Sequence, residues 1–392
     1  MNYFSRKIGL LVLLLGVQIA LLAQNTSNCS ITQELLLLQK KLVPDKRVAV
    51  LDISVNDTIQ PVVIVGETDL PDAKAQILQL FADKKIAVID SIRLLPNTSL
   101  GSKTWALATL SASNIRALPD HAAELVSQAE MGTPMKLLDV KDNWYRVQTP
   151  EHYIGWMDAG CLTLLTSQEL ELWKKANRYI YNKLTGNVLQ QPCKHAEIVS
   201  DLVLGDLLVV EARKCGYLSV RLPDGRTGYV KKKQCRSFAD WSQSEPNAQS
   251  VIAIAKQMMG TPYLWGGTTS KGVDCSGFMK MAFYSQGVIL ARDASQQARY
   301  GEPIDFKNIA NLQPCDLLFF GKSAQRITHV GMYLGNGDFI HSSGRVHISS
   351  IIPTDPKYVP TRNNVAACRI LNSLHAEGIT LVKEHPWYVT QP

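Results

Sequence analysis

The chain begins with a short basic start and then an unbroken apolar run, Ile8-Gly-Leu-Leu-Val-Leu-Leu-Leu-Gly, followed by Ala20-Leu-Leu-Ala23-Gln24. A basic n-region, an apolar h-region and a small residue at the end describe a secretory leader over 1–23. The run is short for a bilayer span and a polar segment follows directly, so export with removal of the leader is expected, to the periplasm or beyond, without stable membrane insertion. Cys29 follows Thr-Ser-Asn, which is not the small-residue pattern of a lipid acceptor. Over 24–98 the pattern alternates between helical and strand periods. Glu34-Leu-Leu-Leu-Leu-Gln reads as helix, Arg47-Val-Ala-Val-Leu-Asp-Ile and Val62-Val-Ile-Val as strands, Asp72 to Asp83 as helix, and Ile86-Ala-Val-Ile as strand. Helix, strand, strand, helix, strand makes a small α+β unit with no polar constellation of its own, suited to docking or spacing.

An internal repeat follows. Gly132, Trp144, Val147, Gly155, Trp156 and Met157 recur 73 positions later as Gly205, Tyr217, Val220, Gly228, Tyr229 and Val230. Each copy reads as short strands closing on Gly-aromatic-Met or Gly-aromatic-Val, where a glycine fits a tight bend with close backbone approach. The copies occupy 99–166 and 167–242, the second opened by a helical connector from about Ser167 to Tyr181. The polar run Ser242 to Ser250 reads as a linker. A helix over Val251 to Met259 opens a last region, 243–371, and a tail covers 372–392.

Composition narrows the class. With 46% hydrophobic and 19% charged residues, the chain is neither disordered, collagenous nor coiled-coil. Eight cysteines are too few for a disulfide-built scaffold, and the pairing of Cys161, Cys193, Cys215, Cys235, Cys315 and Cys368 cannot be read from spacing. Loss of Arg6 and Lys7 with the leader lowers the formal net charge from +7 to +5. That mild excess suits an anionic partner such as a cell-wall polymer, but no Lys/Arg block forms a nucleic-acid surface.

The candidate chemistry lies in 243–371. Phe278, Met279, Ala282 and Phe283 fall at helical spacing, Gly287 is a stop signal, and Cys275 therefore sits at a helix N-terminus after the Gly-rich Gly260-Thr-Pro-Tyr-Leu-Trp-Gly-Gly. Free N–H groups and the helix dipole there are expected to lower the thiol pKa and ready a thiolate, and could hold an oxyanion. A base is needed. Gly335-Asn-Gly337 reads as a hairpin turn. A three-residue loop sets Leu334 opposite Asp338 and His329 opposite Ser343, leaving His341 a same-face diagonal neighbour of His329. One imidazole could then pair with the thiol while the other orients it. Two histidines on one strand pair could instead bind metal, although no third ligand stands at metal spacing. His121, His195 and His385 read as surface or packing residues.

Tyr263, Gly266-Gly267, Asp274-Cys275-Ser276-Gly277, Arg292-Asp-Ala-Ser295-x-Gln297, Asp316-Leu-Leu-Phe-Phe, His329-Val-Gly and His341 resemble the NlpC-type cell-wall peptidases, papain-like bacterial cysteine enzymes, over about Ser250 to Ile370. The repeats resemble paired bacterial SH3 domains, and the first unit resembles a BON-type domain in pattern. The fold implied is multidomain: an α+β papain-like catalytic domain preceded by two small SH3-like β-barrels and an N-terminal α+β domain. The resemblance implies Cys275 as nucleophile, His329 as general base and acid, and His341 as the residue orienting it, with no metal or other cofactor. Tyr263 would stand beside the nucleophile near the oxyanion. Asp274 and Ser276 would line the substrate side, and Arg292 would face a substrate carboxylate. The family's hydroxyl two residues after that Arg is here Ala294, with Ser295 adjacent. In recycling-type relatives a Glu and a Tyr of the first SH3 domain hold the free amine of an N-terminal L-Ala; Glu124 and Tyr153 match them. The implied activity is cleavage between γ-D-glutamate and a diamino acid (Lys or meso-diaminopimelate) in murein peptides. Hydrolysis of intact wall as an endopeptidase or amidase, or wall binding without catalysis, are the alternatives.

Overall fold

The computed structural model describes residues 31–56 and 58–390, so the leader expected over 1–23 lies outside the described residues. No helix among the described residues is long and apolar enough to cross a membrane. The chain divides into two compact units, one ending at Asn97 and the other beginning at Thr98.

The first unit has the expected order: helix α1 over 31–42, β1 (Leu51–Asn56), β2 (Val62–Thr68), α2 (Pro71–Asp83) and β3 (Val88–Leu94). β1 and β2 pair antiparallel, whereas β2 and β3 are parallel and need the crossover that α2 supplies. Ala73, Ile77 and Phe81, one helical face, bury against Ile53, Ile64 and Ile92. The first strand starts at Leu51 rather than Arg47. Asp45 accepts both the backbone N–H and the guanidinium of Arg47, which holds that stretch in a turn.

The second unit opens with β4 (Trp105–Ala108), β5 (Ser113–Arg116), β6 (Leu125–Ala129), β7 (Pro134–Lys141), β8 (Trp144–Gln148), β9 (Ile154–Asp158) and β10 (Leu162–Leu165), in sheet order β10-β4-β7-β8-β9-β5-β6. After helix α3 (Ser167–Lys175), the same arrangement returns in β11 (Arg178–Tyr181), β12 (Thr185–Leu189), β13 (Ile198–Val203), β14 (Leu207–Lys214), β15 (Tyr217–Arg221), β16 (Thr227–Lys231) and β17 (Cys235–Ser237), ordered β17-β11-β14-β15-β16-β12-β13. The repeated glycines have the expected cause. A Cβ on Gly155 would lie 2.4 Å from Ile115 Cγ2, and one on Gly228 2.5 Å from Val188 Cγ1. The connector helix is shorter than expected: Arg178–Tyr181 is strand. Its side chains are buried, it pairs with both β14 and β17, and the Arg178 guanidinium stacks 3.8 Å from the Phe238 ring.

The rest is built from α4 (Phe238–Ser242), α5 (Ala248–Gln257), the short ribbon β18 (Thr268–Thr269) and β19 (Gly272–Val273), α6 (Cys275–Tyr284), β20 (Val288–Leu290) and α7 (Ala294–Gln297). Then come β21 (Glu302–Pro303), β22 (Leu317–Ser323), β23 (Arg326–Gly335), β24 (Asp338–Ser343), β25 (Arg345–Ser350), β26 (Asn364–Arg369) and β27 (Ile379–Leu381). α5 starts three residues earlier than expected because Asn247 caps it, accepting from the Ser250 N–H. Six strands form an antiparallel sheet ordered β21-β26-β22-β23-β24-β25. α6 packs on it through Phe278, Met279 and Ala282 against Leu317, Phe319, Val330 and Ile340. All ten residues of α6 are buried, because Tyr284 joins a second core with Leu107 and Leu207 of the two barrels, Trp173 of α3, and Tyr388. Residues 372–390 are thus part of this unit rather than a tail: β27 pairs with β20, and Val382 and Tyr388 fill that shared core.

Candidate active site

The Asp274-Cys275-Ser276-Gly277 turn is organised by one carboxylate. Asp274 caps α6, its Oδ1 accepting from the Gly277 N–H at 2.7 Å, while its Oδ2 accepts from the Gly266 N–H at 3.0 Å. Gly277 is required because a Cβ there would fall 2.1 Å from the Gly267 carbonyl oxygen. The loop before the helix and the helix start are therefore pressed together, with Cys275 between them, buried to 8% exposure.

That burial overturns one expectation. The thiol lies against the backbone N–H groups of Ser276 and Val330, yet its pKa is pushed up to about 11, first by desolvation and then by the Asp274 charge. Loss of water outweighs the helix terminus. On the facing hairpin, His329 Nε2 and His341 Nδ1 are 2.8 Å apart, and His341 Nε2 is 2.9 Å from Ser349 Oγ. Burial pulls the pKa of His329 down to about 2 and that of His341 to about 3, so both rings are neutral at physiological pH. Thiol and imidazoles are thus all neutral at rest. With Nε2 of His329 donating to His341, its Nδ1 is left as the basic nitrogen, and Ser349 must then accept from His341 Nε2. Sequence reading missed Ser349.

The hairpin differs from expectation at its tip. Met332 pairs with Ile340 and Tyr333 with Phe339, as the expected register requires, but Asp338 pairs with Gly335 rather than Leu334. Asn336 (φ 53°) and Gly337 (φ 84°) make a two-residue turn, and Leu334 is absorbed in a bulge.

Arg292 does not present a free fork. It is 1% exposed; Nη2 donates to Asp274 Oδ2 at 2.6 Å, Nη1 to Asp274 Oδ1 and Ser276 Oγ at 3.2 and 3.1 Å, and Nε to Ser127 Oγ of the first barrel at 3.2 Å. The carboxylate it faces belongs to the protein. Burial opposes its charge, but Asp274 more than restores it, keeping the guanidinium protonated. Ser295 is half-buried in α7, whose Gln297 bridges back by donating to the Ser276 carbonyl oxygen at 3.1 Å. Tyr263 is bound through its N–H to the Gly344 carbonyl oxygen. Its phenol is held up to about 12 by burial and then by nearby Cys275 and Asp274, so it stays a donor.

The first barrel forms one wall. Strand β6 runs along the loop after Tyr263: a Cβ on Gly266 would meet the Leu125 carbonyl oxygen at 2.1 Å, and Thr268 donates through N and Oγ1 to Gln128 at 3.1 and 3.0 Å. Glu124 Oε1 accepts from Trp265 Nε1 at 2.6 Å, two residues from Tyr263. Tyr153 is buried in the same barrel, near Arg292. Ser127, Gln128 and Trp265 are further wall residues that no spacing rule singled out. Arg362, half-buried, donates to Ser343 Oγ at 2.7 Å and was likewise missed. Among the described residues no group of three His, Cys, Asp or Glu side chains is arranged around a metal position.

The model of the NlpC/P60 family matches residues 260–362, and that of the bacterial dipeptidyl-peptidase SH3 domain matches 115–162. Dipeptidyl-peptidase 6 of Lysinibacillus sphaericus is 30% identical over 256 residues, covering 63% of this chain and 91% of that protein. The chain belongs to the NlpC/P60 family. It is a cysteine peptidase of that family, carrying a dipeptidyl-peptidase SH3 domain ahead of its NlpC/P60 domain. The gamma-D-glutamyl-L-lysine dipeptidyl-peptidase of Bacillus cereus is also 30% identical, over 61% of this chain and 74% of that protein. A crystal structure of an NlpC/P60 family protein from Bacillus cereus has the same fold, with a TM-score of 0.59 at 24% identity, over 68% of this chain and 99% of that one.

Proposed function

We propose that the protein hydrolyses the bond between γ-D-glutamate and a diamino acid in murein peptides that carry a free N-terminal L-Ala, acting outside the cytoplasm in peptide recycling. The observation that supports this reading is the first barrel's wall: Glu124 accepts from Trp265 in the loop after Tyr263, and Tyr153 is buried near Arg292, the partner of the helix cap Asp274. The two relatives named above are dipeptidyl-peptidases, one of them acting on γ-D-glutamyl-L-lysine by its name.

Cys275 is the nucleophile, His329 its base and later the acid, and His341 the residue that orients His329. Because thiol and imidazole are both neutral at rest, the proton passes from Sγ to His329 Nδ1 as sulfur attacks the γ-carbonyl carbon. Charge on the resulting oxyanion is met by N–H groups at the start of α6 and by the Tyr263 hydroxyl. His329 then gives the proton to the departing amine, leaving a thioester. Water loses a proton to His329, attacks the thioester and releases the acid, returning the proton to sulfur. Asp274 and Ser276 line the acyl side with Ser295 nearby, and Arg292 holds Asp274 in place. Glu124 and Tyr153 receive the L-Ala ammonium.

Intact wall, whose L-Ala nitrogen is part of an amide, offers no ammonium. Mass spectrometry of L-Ala-γ-D-Glu-L-Lys and its N-acetylated copy separates the readings. The free peptide should be cleaved about ten- to a hundredfold better, with that preference lost in Glu124→Ala and all cleavage lost in Cys275→Ala. Equal cleavage of both peptides by the wild type would assign the protein to wall remodelling and leave the barrel a targeting role.

A further inference from the structure

Segment 351–363, between β25 and β26, contributes a single guanidinium to the cleft. Arg362 Nη2 donates to Ser343 Oγ at 2.7 Å. Ser343 is two residues beyond His341 on β24, so their side chains share a face. The next residue, Gly344, accepts the Tyr263 N–H at 3.0 Å. The guanidinium is therefore tethered to the histidine hairpin, next to the residue that holds the Tyr263 backbone. The charge reaches the site: it opposes protonation of His329 and His341, and it interacts with the thiol and with the Tyr263 phenol.

Among the described residues Arg362 has no carboxylate partner, unlike two other arginines of this domain: Arg292 is paired with Asp274 and Arg369 with Asp316. Ser343 takes one of its five donors. A half-buried guanidinium tethered by a neutral hydroxyl, with its fork otherwise open, is arranged to receive a planar anion.

We propose that Arg362 binds a free carboxylate on the diamino acid that leaves. This rests on the reading of the reaction given above, and it makes the cleft polar end to end: a carboxylate for the peptide's ammonium at the barrel wall, and a guanidinium for its carboxylate at the hairpin. Two carboxylates could be the ligand, the α-carboxylate of a C-terminal diamino acid or the second carboxylate of diaminopimelate.

The test compares kcat/KM for L-Ala-γ-D-Glu-L-Lys, its C-terminal amide, and the diaminopimelate peptide amidated at the α-carboxyl, in wild type and Arg362→Gln. The wild type should favour the lysine acid over its amide about ten- to a hundredfold, and R362Q should lose that preference. If the α-amidated diaminopimelate peptide is cleaved as well as the lysine acid, the side-chain carboxylate also serves. If it falls to the level of the lysine amide, the α-carboxylate is the ligand. Equal rates for lysine acid and amide in the wild type, or an undiminished preference in R362Q, would overturn the proposal. Alkylation of Cys275 by iodoacetate and iodoacetamide, followed on its own peptide by mass spectrometry, needs no substrate. The iodoacetate-to-iodoacetamide ratio cancels any change in thiol ionisation and should fall severalfold in R362Q; an unchanged ratio sinks the assignment. If no peptide is cleaved at all, the reading of the reaction has failed, and this ratio alone decides for Arg362.

Discussion

Arg292→Met would remove the guanidinium while keeping most of the side-chain volume. Asp274 would retain the Gly277 and Gly266 N–H groups and the Ser276 hydroxyl, but lose both contacts to Arg292, at 2.6 and 3.2 Å. The pair is almost wholly out of water, at 1% and 7% exposure, so solvent cannot replace what is lost. Leaving one member of a buried ion pair uncompensated costs about 3–5 kcal/mol. The three bonds that Asp274 keeps place the expected loss near the lower end, about 3 kcal/mol. For a unit of this size that lowers the melting temperature by roughly 5–10 °C. The double variant Asp274→Asn/Arg292→Met leaves no buried charge and should be more stable than Arg292→Met alone, a coupling that a double-mutant cycle reads directly. Thermal unfolding by circular dichroism of the four proteins is the assay. If Arg292→Met melts within a degree of wild type and its only effect is a raised KM, then Arg292 faces substrate and the buried pair has been misjudged.

The two histidines should be unequal: His329→Ala loses proton transfer itself, while His341→Gln keeps an amide able to accept from His329 and should retain measurable turnover; kcat values that rank the other way would reverse the roles. Acid should destabilise the fold through the same pair. Their folded pKa values lie near 2 and 3, below about 6.5 in the unfolded chain, so below pH 6.5 the unfolded chain binds more protons and stability falls. At pH 5 that amounts to about 2 kcal/mol for each ring, so the melting temperature of wild type should drop more steeply from pH 7 to 5 than that of His341→Gln. Parallel profiles would show that the rings do not carry the effect.

The features legible in the chain are those that neighbours in sequence decide. Asp274 before a helical apolar stripe marks the start of α6, Asn336-Gly337 marks the turn that brings His329 to His341, and the 73-residue repeat marks two like barrels. Caps, positive-φ turns and side-chain alternation act over a few residues, so their consequences can be written down before any fold is known. The arrangement of the site depends on distant partners. Arg292 meets Ser127 across 165 positions and Trp265 meets Glu124 across 141, so neither which carboxylate Arg292 would face nor the barrel wall was fixed by local pattern. Gly335 rather than Leu334 opposing Asp338 is a small tertiary choice of the same kind. The thiol shows the difference most clearly. A helix N-terminus visible in sequence argues for a lowered pKa, yet the water that Cys275 loses among α6, the sheet and the preceding loop raises it to about 11. Desolvation is a property of everything packed around an atom, and no stretch of chain contains it.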